Sequence, residues 1–205
     1  SSDVCSSDLS ILDELTGQYP NLIAKHQLNG GHGNAIYNGY QMAVQMNPDF
    51  VFQTDSDDQF VPSDFKKFWE KRNASDFVLG FREVRNDDPF RLLITRILKY
   101  SLLSIYGTYI HDANIPFRLI RTTFLKKLLN ALPAQTPFAP NIFLSVLAKK
   151  SGQKLFNIPV LHKERETGEV SIRHMKLLKV CWQSFKELAH FRFQLNSLVR
   201  EIKKG

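Results

Sequence analysis

At 205 residues the chain fits one domain of ordinary size, and with 43% hydrophobic and 23% charged residues it reads as globular rather than disordered or fibrous. Its formal charge of +7 is unevenly placed: residues 162–205 carry 10 Lys+Arg against 5 Asp+Glu, and residues 1–161 carry 17 against 15. A basic tail suits an anionic partner such as a phosphate or an acidic lipid surface. No Lys/Arg run with interleaved aromatics and no zinc-finger or RNP-like pattern points to nucleic acid.

In chain order, residues 1–8 (Ser-Ser-Asp-Val-Cys-Ser-Ser-Asp) are polar and repetitive, and are expected to be a frayed or non-native start. A helix is expected from Leu9 to Leu15 and a short strand from Leu22 to Lys25. The turn Asn29-Gly30-Gly31-His32-Gly33-Asn34 opens a helix that Asn47-Pro48 stops. Phe50 to Thr54 is a β-rich run that ends directly in Asp55-Ser56-Asp57-Asp58, and Pro62-Ser63-Asp64 starts a further helix. Strands follow at 77–81, 117–120 and 154–160, with helices at 89–106, 122–129, 141–149 and from Ser171 onward. This alternation argues for an α/β sheet with crossover helices.

The remaining composition excludes several classes. Cys5 and Cys181 are the only cysteines and stand far apart, so neither a disulfide framework nor a zinc site is expected, and a reducing compartment is. The longest apolar region, Leu92 to Ile110, is interrupted by Arg96 and Lys99 and is not expected to span a membrane. No secretory signal is read at the start.

Asp55 and Asp57 are the informative pair. Two carboxylates at i and i+2 on a strand's exit can turn towards one site, and ligands of open α/β sheets sit at the carboxyl ends of strands. Hard divalent cations take oxygen ligands, and Mg²⁺ is commonly held by one or two carboxylates plus substrate phosphates. Asp and Ser also cluster after strands simply to make turns and caps, so the pair alone leaves both readings open. The glycine turn is neither a Walker loop, since no Lys-Ser/Thr follows Gly33, nor a dinucleotide fingerprint, since Ile36 occupies the third glycine position.

In context these residues resemble the family 2 glycosyltransferases. Asn29, Gly31, Gly33 and Ala35, then Gly39 and Ala43, match the family's turn and helix, and Asp55, Asp57 and Gln59 match its Asp-x-Asp with a following Gln. Gly80-Phe81-Arg82, the run Pro116 to Arg121, and Arg165-x-x-Gly168-x-x-Ser171 continue the resemblance, the last being similar to the dolichol-phosphate mannosyltransferase-like, polyprenyl-phosphate branch. The resemblance implies a GT-A fold: a mixed, mostly parallel sheet flanked by helices, here with its first strand missing. It implies a catalytic domain over 9–161 and a basic, amphipathic segment over 162–205.

It further implies a divalent metal (Mg²⁺ or Mn²⁺) held by Asp55 and Asp57, assisted by Gln59. The UDP- or GDP-linked sugar donor would meet Asn29, Gly31, Gly33, Asp55, Asp57, Gln59, His162, Arg165 and Ser171. Asp55, Asp57 and Arg165 would be the catalytic residues. Arg82, Arg85 and Arg118 would hold an acceptor phosphate. A hydroxyl acceptor needs a general base near the start of the helix at 141, where Phe138 to Phe143 offers no acid. A phosphate acceptor is already ionised, which favours a polyprenyl phosphate, although Asp112 or Asp87-Asp88 could serve as a base. The competing readings are transfer to a saccharide hydroxyl, and a non-catalytic nucleotide- or anionic-lipid-binding module.

Two amphipathic stretches, Leu92 to Tyr106 and the stripe Ile172, Met175, Leu178, Trp182, Phe185 and Ala189, fit either core packing or a membrane interface. The expected location is cytoplasmic, peripheral at the membrane's cytoplasmic face.

Overall fold

The computed structural model describes residues 6–82, 89–132, 139–163 and 174–204. Helix α1 (Ser6–Gln18) is followed by α2 (His32–Gln45), β1 (Phe50–Gln53), α3 (Asp64–Glu70), β2 (Phe77–Arg82) and α4 (Pro89–Tyr106). Then come β3 (Arg118–Arg121), α5 (Thr122–Ala131), α6 (Pro140–Lys150), β4 (Leu155–Val160) and α7 (His174–Lys204). The ends of α6 follow from its sequence. Pro140 sits in the first turn, where a missing N–H costs nothing, and Lys149 and Lys150 lie in the last turn, where cations suit the helix dipole.

The sheet has the order β1-β3-β2-β4. β3 runs antiparallel to both neighbours, with Val51 opposite Ile120 and Val78 opposite Leu119, while β2 and β4 are parallel. The sheet is therefore mixed as expected. β1, β2 and β4 point the same way although only one ladder is parallel. This topology brings Asp55, Arg82 and His162, which end or follow those three strands, to the same end of the sheet.

Successive side chains of β3 serve opposite faces. Phe117, just before the strand, meets Phe52, Phe60 and Phe68 on the α3 face, with ring centroids 4.8, 5.2 and 5.0 Å away. Arg118 turns to the other face, where α6 lies. That second face holds the larger core, including Leu125, Leu128, Phe143, Leu144 and Leu147. Helix α7 closes it: the Phe191 ring packs on Phe143 at 4.8 Å, and the Tyr106 hydroxyl of α4 donates to the Leu188 carbonyl. The described part of the predicted α7 stripe divides accordingly. Trp182 and Phe185 are exposed and stacked on each other, and burial begins at Leu188.

Leu22 to Lys25 does not form a strand; residues 22–31 are irregular. A strand needs a partner for its backbone groups. Among the described residues β1 pairs only with β3, and Leu22 to Lys25 does not take up its open outer edge. Leu22, Ile23 and Leu28 are consequently exposed, Leu28 at 94%.

Candidate functional site

The chain leaves β1 at Gln53 and crosses the carboxyl end of the sheet before α3 begins. Asp58, at φ 55, makes the turn, a conformation that Asp tolerates better than most residues. The crossing ends against the exit of β4, on the opposite edge: Phe60 forms a bridge with His162, and the Lys163 N–H donates to the Gln59 carbonyl at 2.8 Å. Asp64 anchors the far side, accepting from the Leu161 N–H at 2.9 Å and from Lys67 Nζ at 2.7 Å. A carboxylate-rich loop is thus fixed at both ends by backbone hydrogen bonds.

Asp55 and Asp57 both line a cleft of about 620 Å³ between β1 and α2, a size suited to a small-molecule ligand. Its other wall is the α2 face carrying His32, Ala35, Gly39 and Tyr40. Gly31, at φ 86, is where the chain enters α2 in a conformation that glycine adopts without strain. Its N–H donates to Asn29 Oδ1 at 3.0 Å, and Gly33 is buried in the first turn. The glycine turn therefore presents the start of α2 to the cleft that the carboxylates line. A second hollow of about 540 Å³ shares Thr54, Asp55 and Ser56 and is walled by Phe52, Phe60, Phe65 and Phe117.

Burial raises the Asp55 carboxyl above its ordinary range. His32, Arg118 and Arg82 pull it down, and the charge of Asp57 pushes it up. A half-buried carboxylate beside a second one is a place where a divalent cation relieves repulsion. Among the described residues no three His, Cys, Asp or Glu side chains converge into a complete metal cage. Two carboxylates with the remaining positions left to phosphate oxygens and water are the donor set that fits Mg²⁺ or Mn²⁺. Behind Asp55, the buried Tyr40 donates its hydroxyl to Gln53 Oε1, and burial keeps that hydroxyl protonated.

The other expected site residues part company. Gln59 supports Asp57: its backbone N–H donates to Asp57 Oδ1 at 3.3 Å, while its side-chain amide donates to the Lys163 carbonyl at 3.4 Å. His162 is half-buried with its ring 5.3 Å from that of Phe60. Arg82 grips Asp112 in a bidentate pair, Nε at 2.8 Å and Nη2 at 3.1 Å. The expectation for Arg118 needs correction. It is 0% exposed, and its guanidinium donates to the carbonyls of Ala113, Ile115 and Asn141 and to Ser145 Oγ. Every direction of its planar fork is met from within, so it cannot hold an acceptor phosphate. Arg85, Arg165 and Ser171, and the carboxylates of Asp87 and Asp88, lie outside the described residues.

His32 is the functional candidate that the motif reading passed over. Its signal was its position, between two glycines at the start of the helix facing the Asp-x-Asp strand. Asp112, considered as a base, is buried and committed to Arg82. The first turn of α6 carries no acid.

A mixed sheet with two carboxylates at the exit of β1, beside a helix opened by glycines, agrees with the GT-A fold expected from the sequence. Comparison with characterised proteins makes the relation more particular. The chain is similar to the undecaprenyl-phosphate 4-deoxy-4-formamido-L-arabinose transferase of Enterobacter sp. (strain 638), with 27% identity over 183 residues, 89% of this chain and 53% of the relative. It is similar to that of Photorhabdus laumondii, with 27% identity over 202 residues, 96% of this chain and 59% of the relative. The Erwinia tasmaniensis protein of the same name is 25% identical over 175 residues, 85% of this chain and 51% of the relative. No protein-family model matches the chain. These relatives bear out the resemblance to polyprenyl-phosphate sugar transferases, and the chain spans about half their length.

Proposed function

We propose that this chain is the donor-binding part of a glycosyltransferase that passes a sugar from a UDP- or GDP-linked donor to a polyprenyl phosphate. The observation that carries the reading is the pair Asp55 and Asp57 lining one cleft with the start of α2. When bound there, Mg²⁺ or Mn²⁺ supplies Lewis-acid stabilisation of the departing diphosphate. Asp55 and Asp57 would hold it, with Gln59 fixing the second carboxylate. The amide groups around Gly31 and Gly33 and the side chain of His32 would face the diphosphate, as helix starts favour anions. Lys163, hydrogen-bonded to the loop, stands two residues before Arg165 in the sequence, which supports placing Arg165 at the donor phosphates.

The acceptor reading rests on what a hydroxyl would need. Transfer to a hydroxyl requires a base that can reach the attacking oxygen. Asp112 is held in a buried ion pair, and α6 begins without a carboxylate. A phosphate oxygen attacks the anomeric carbon as an anion, and the bond from that carbon to the donor diphosphate breaks. A lipid acceptor also suits the exposed apolar residues Leu93, Ile97, Tyr100 and Leu103 of α4 and Trp182 and Phe185 of α7, which would lie at a membrane surface. No described helix is long and apolar enough to cross a membrane.

Incubation with UDP- and GDP-sugars, Mn²⁺ and either decaprenyl phosphate or an oligosaccharide tests the reading. Label is expected in the lipid phosphate; label in the oligosaccharide alone would contradict it.

A further inference from the structure

Of the described residues expected at the acceptor phosphate, Arg118 is buried and two donors of Arg82 are held by Asp112. A cluster of unassigned side chains gathers around Phe81, the residue before Arg82. The ring of Phe81 lies 5.1 Å from that of His111, and Tyr109 meets the same imidazole edge-on at 5.0 Å. Lys99 of α4 places its Nζ 4.5 Å from the centre of the Tyr109 ring. Three elements, β2, α4 and the segment before β3, thus bring Phe81, Lys99, Tyr109 and His111 together. Arg82 and Asp112 cancel each other's charge. Among the described residues neither Lys99 nor His111 makes an ion pair with a carboxylate.

We propose that Lys99 and His111 seat the phosphate of an isoprenyl phosphate monoester; this rests on the acceptor reading given above. A merely solvated lysine would extend into water. Lys99 instead lies half-buried over an aromatic face, which costs little for a cation and holds it in place. His111 is exposed, with its ring held between two others, and has nitrogens to offer an oxyanion. Lys99 also borders the outward strip of α4, where Ile97, Tyr100 and Leu103 are 55%, 64% and 45% exposed. Arg96 adds a further cation on that strip. A ligand with a charged head and an apolar chain matches this succession from cationic seat to apolar strip, whereas free phosphate would use only the seat.

The test is calorimetric titration of the 205-residue chain with geranyl phosphate, inorganic phosphate and geraniol, in parallel with the variants Lys99→Met and His111→Gln. Each variant is expected to weaken geranyl phosphate about tenfold, the loss of one charge-assisted contact, and to keep the nucleotide affinity measured with Mn²⁺. Geranyl phosphate is expected to bind more tightly than either of the other ligands. Equal affinity for it in parent and variants overturns the seat while leaving the acceptor reading intact. No binding of geranyl phosphate by a chain that still binds nucleotide with Mn²⁺ overturns the acceptor reading, and the seat with it. Inorganic phosphate bound as tightly would remove the isoprenyl chain from the assignment, and geraniol bound as tightly would remove the phosphate.

Discussion

The centre of the sheet and its β1 edge are built from similar residues and serve different ends. At the centre, β3 lies between β1 and β2 and both of its faces are covered, so even an arginine there is enclosed and answered by carbonyls. At the edge, β1 pairs on one side only among the described residues, and the residues before α2 leave Ile11, Tyr19, Ile23 and Leu28 exposed. The carboxylates that would do the chemistry sit at that less covered edge, on a loop pinned back to the far edge of the sheet. Stability is concentrated where the packing is complete. The cleft opens where it is not, as binding sites require both a rigid support and an accessible wall.

Substitutions at the two regions should separate this division sharply. Arg118→Met should have the largest effect, about 3–5 kcal/mol in urea denaturation, because it strips the partners from several buried carbonyls at once. Gly80→Ala should cost about 1–3 kcal/mol by the same measurement, since a Cβ there would lie 2.9 Å from the Phe117 carbonyl oxygen.

Asp55→Asn should act in the opposite direction in metal-free protein. Burial raises the folded-state pKa of Asp55. Its contribution to stability is therefore fully present below its unfolded pKa and is lost as pH rises through the folded value. The metal-free variant should melt about 2–4 °C above the parent at about pH 8. The difference should vanish near the carboxylate's ordinary range, about pH 4. Leu28→Ser, in the exposed segment before α2, should change stability by less than about 0.5 kcal/mol. A loss near that of Arg118→Met would show that this segment is covered in solution.

Much of this arrangement was legible in the residues, for identifiable reasons. The helices at 89–106 and 141–149 and the strands at 50–54 and 77–81 announce themselves by periodicity and by their breakers, and the structure has them within a residue or two. Asp55 and Asp57 were legible because a strand's exit limits where two alternating carboxylates can point. Arg118 was not. Its motif fixes its place in the chain, but which face it meets depends on β3 lying inside the sheet, a property of topology rather than of local pattern. Leu22 to Lys25 misled for a related reason, since β propensity says nothing about whether a segment docks on a sheet. His32 was hidden by its glycine neighbours, and the pairing of Arg82 with Asp112 spans 30 residues that no spacing rule connects.

The central claim is that Asp55 and Asp57 form a metal-dependent nucleotide site. Titrating UDP and GDP into the chain with and without Mn²⁺, beside Asp57→Asn, tests it most directly. The account predicts that one nucleotide binds only with Mn²⁺ and that the variant weakens this binding by about tenfold or more. Binding that is indifferent to Mn²⁺ and unchanged in the variant, or no binding of either nucleotide, would contradict it.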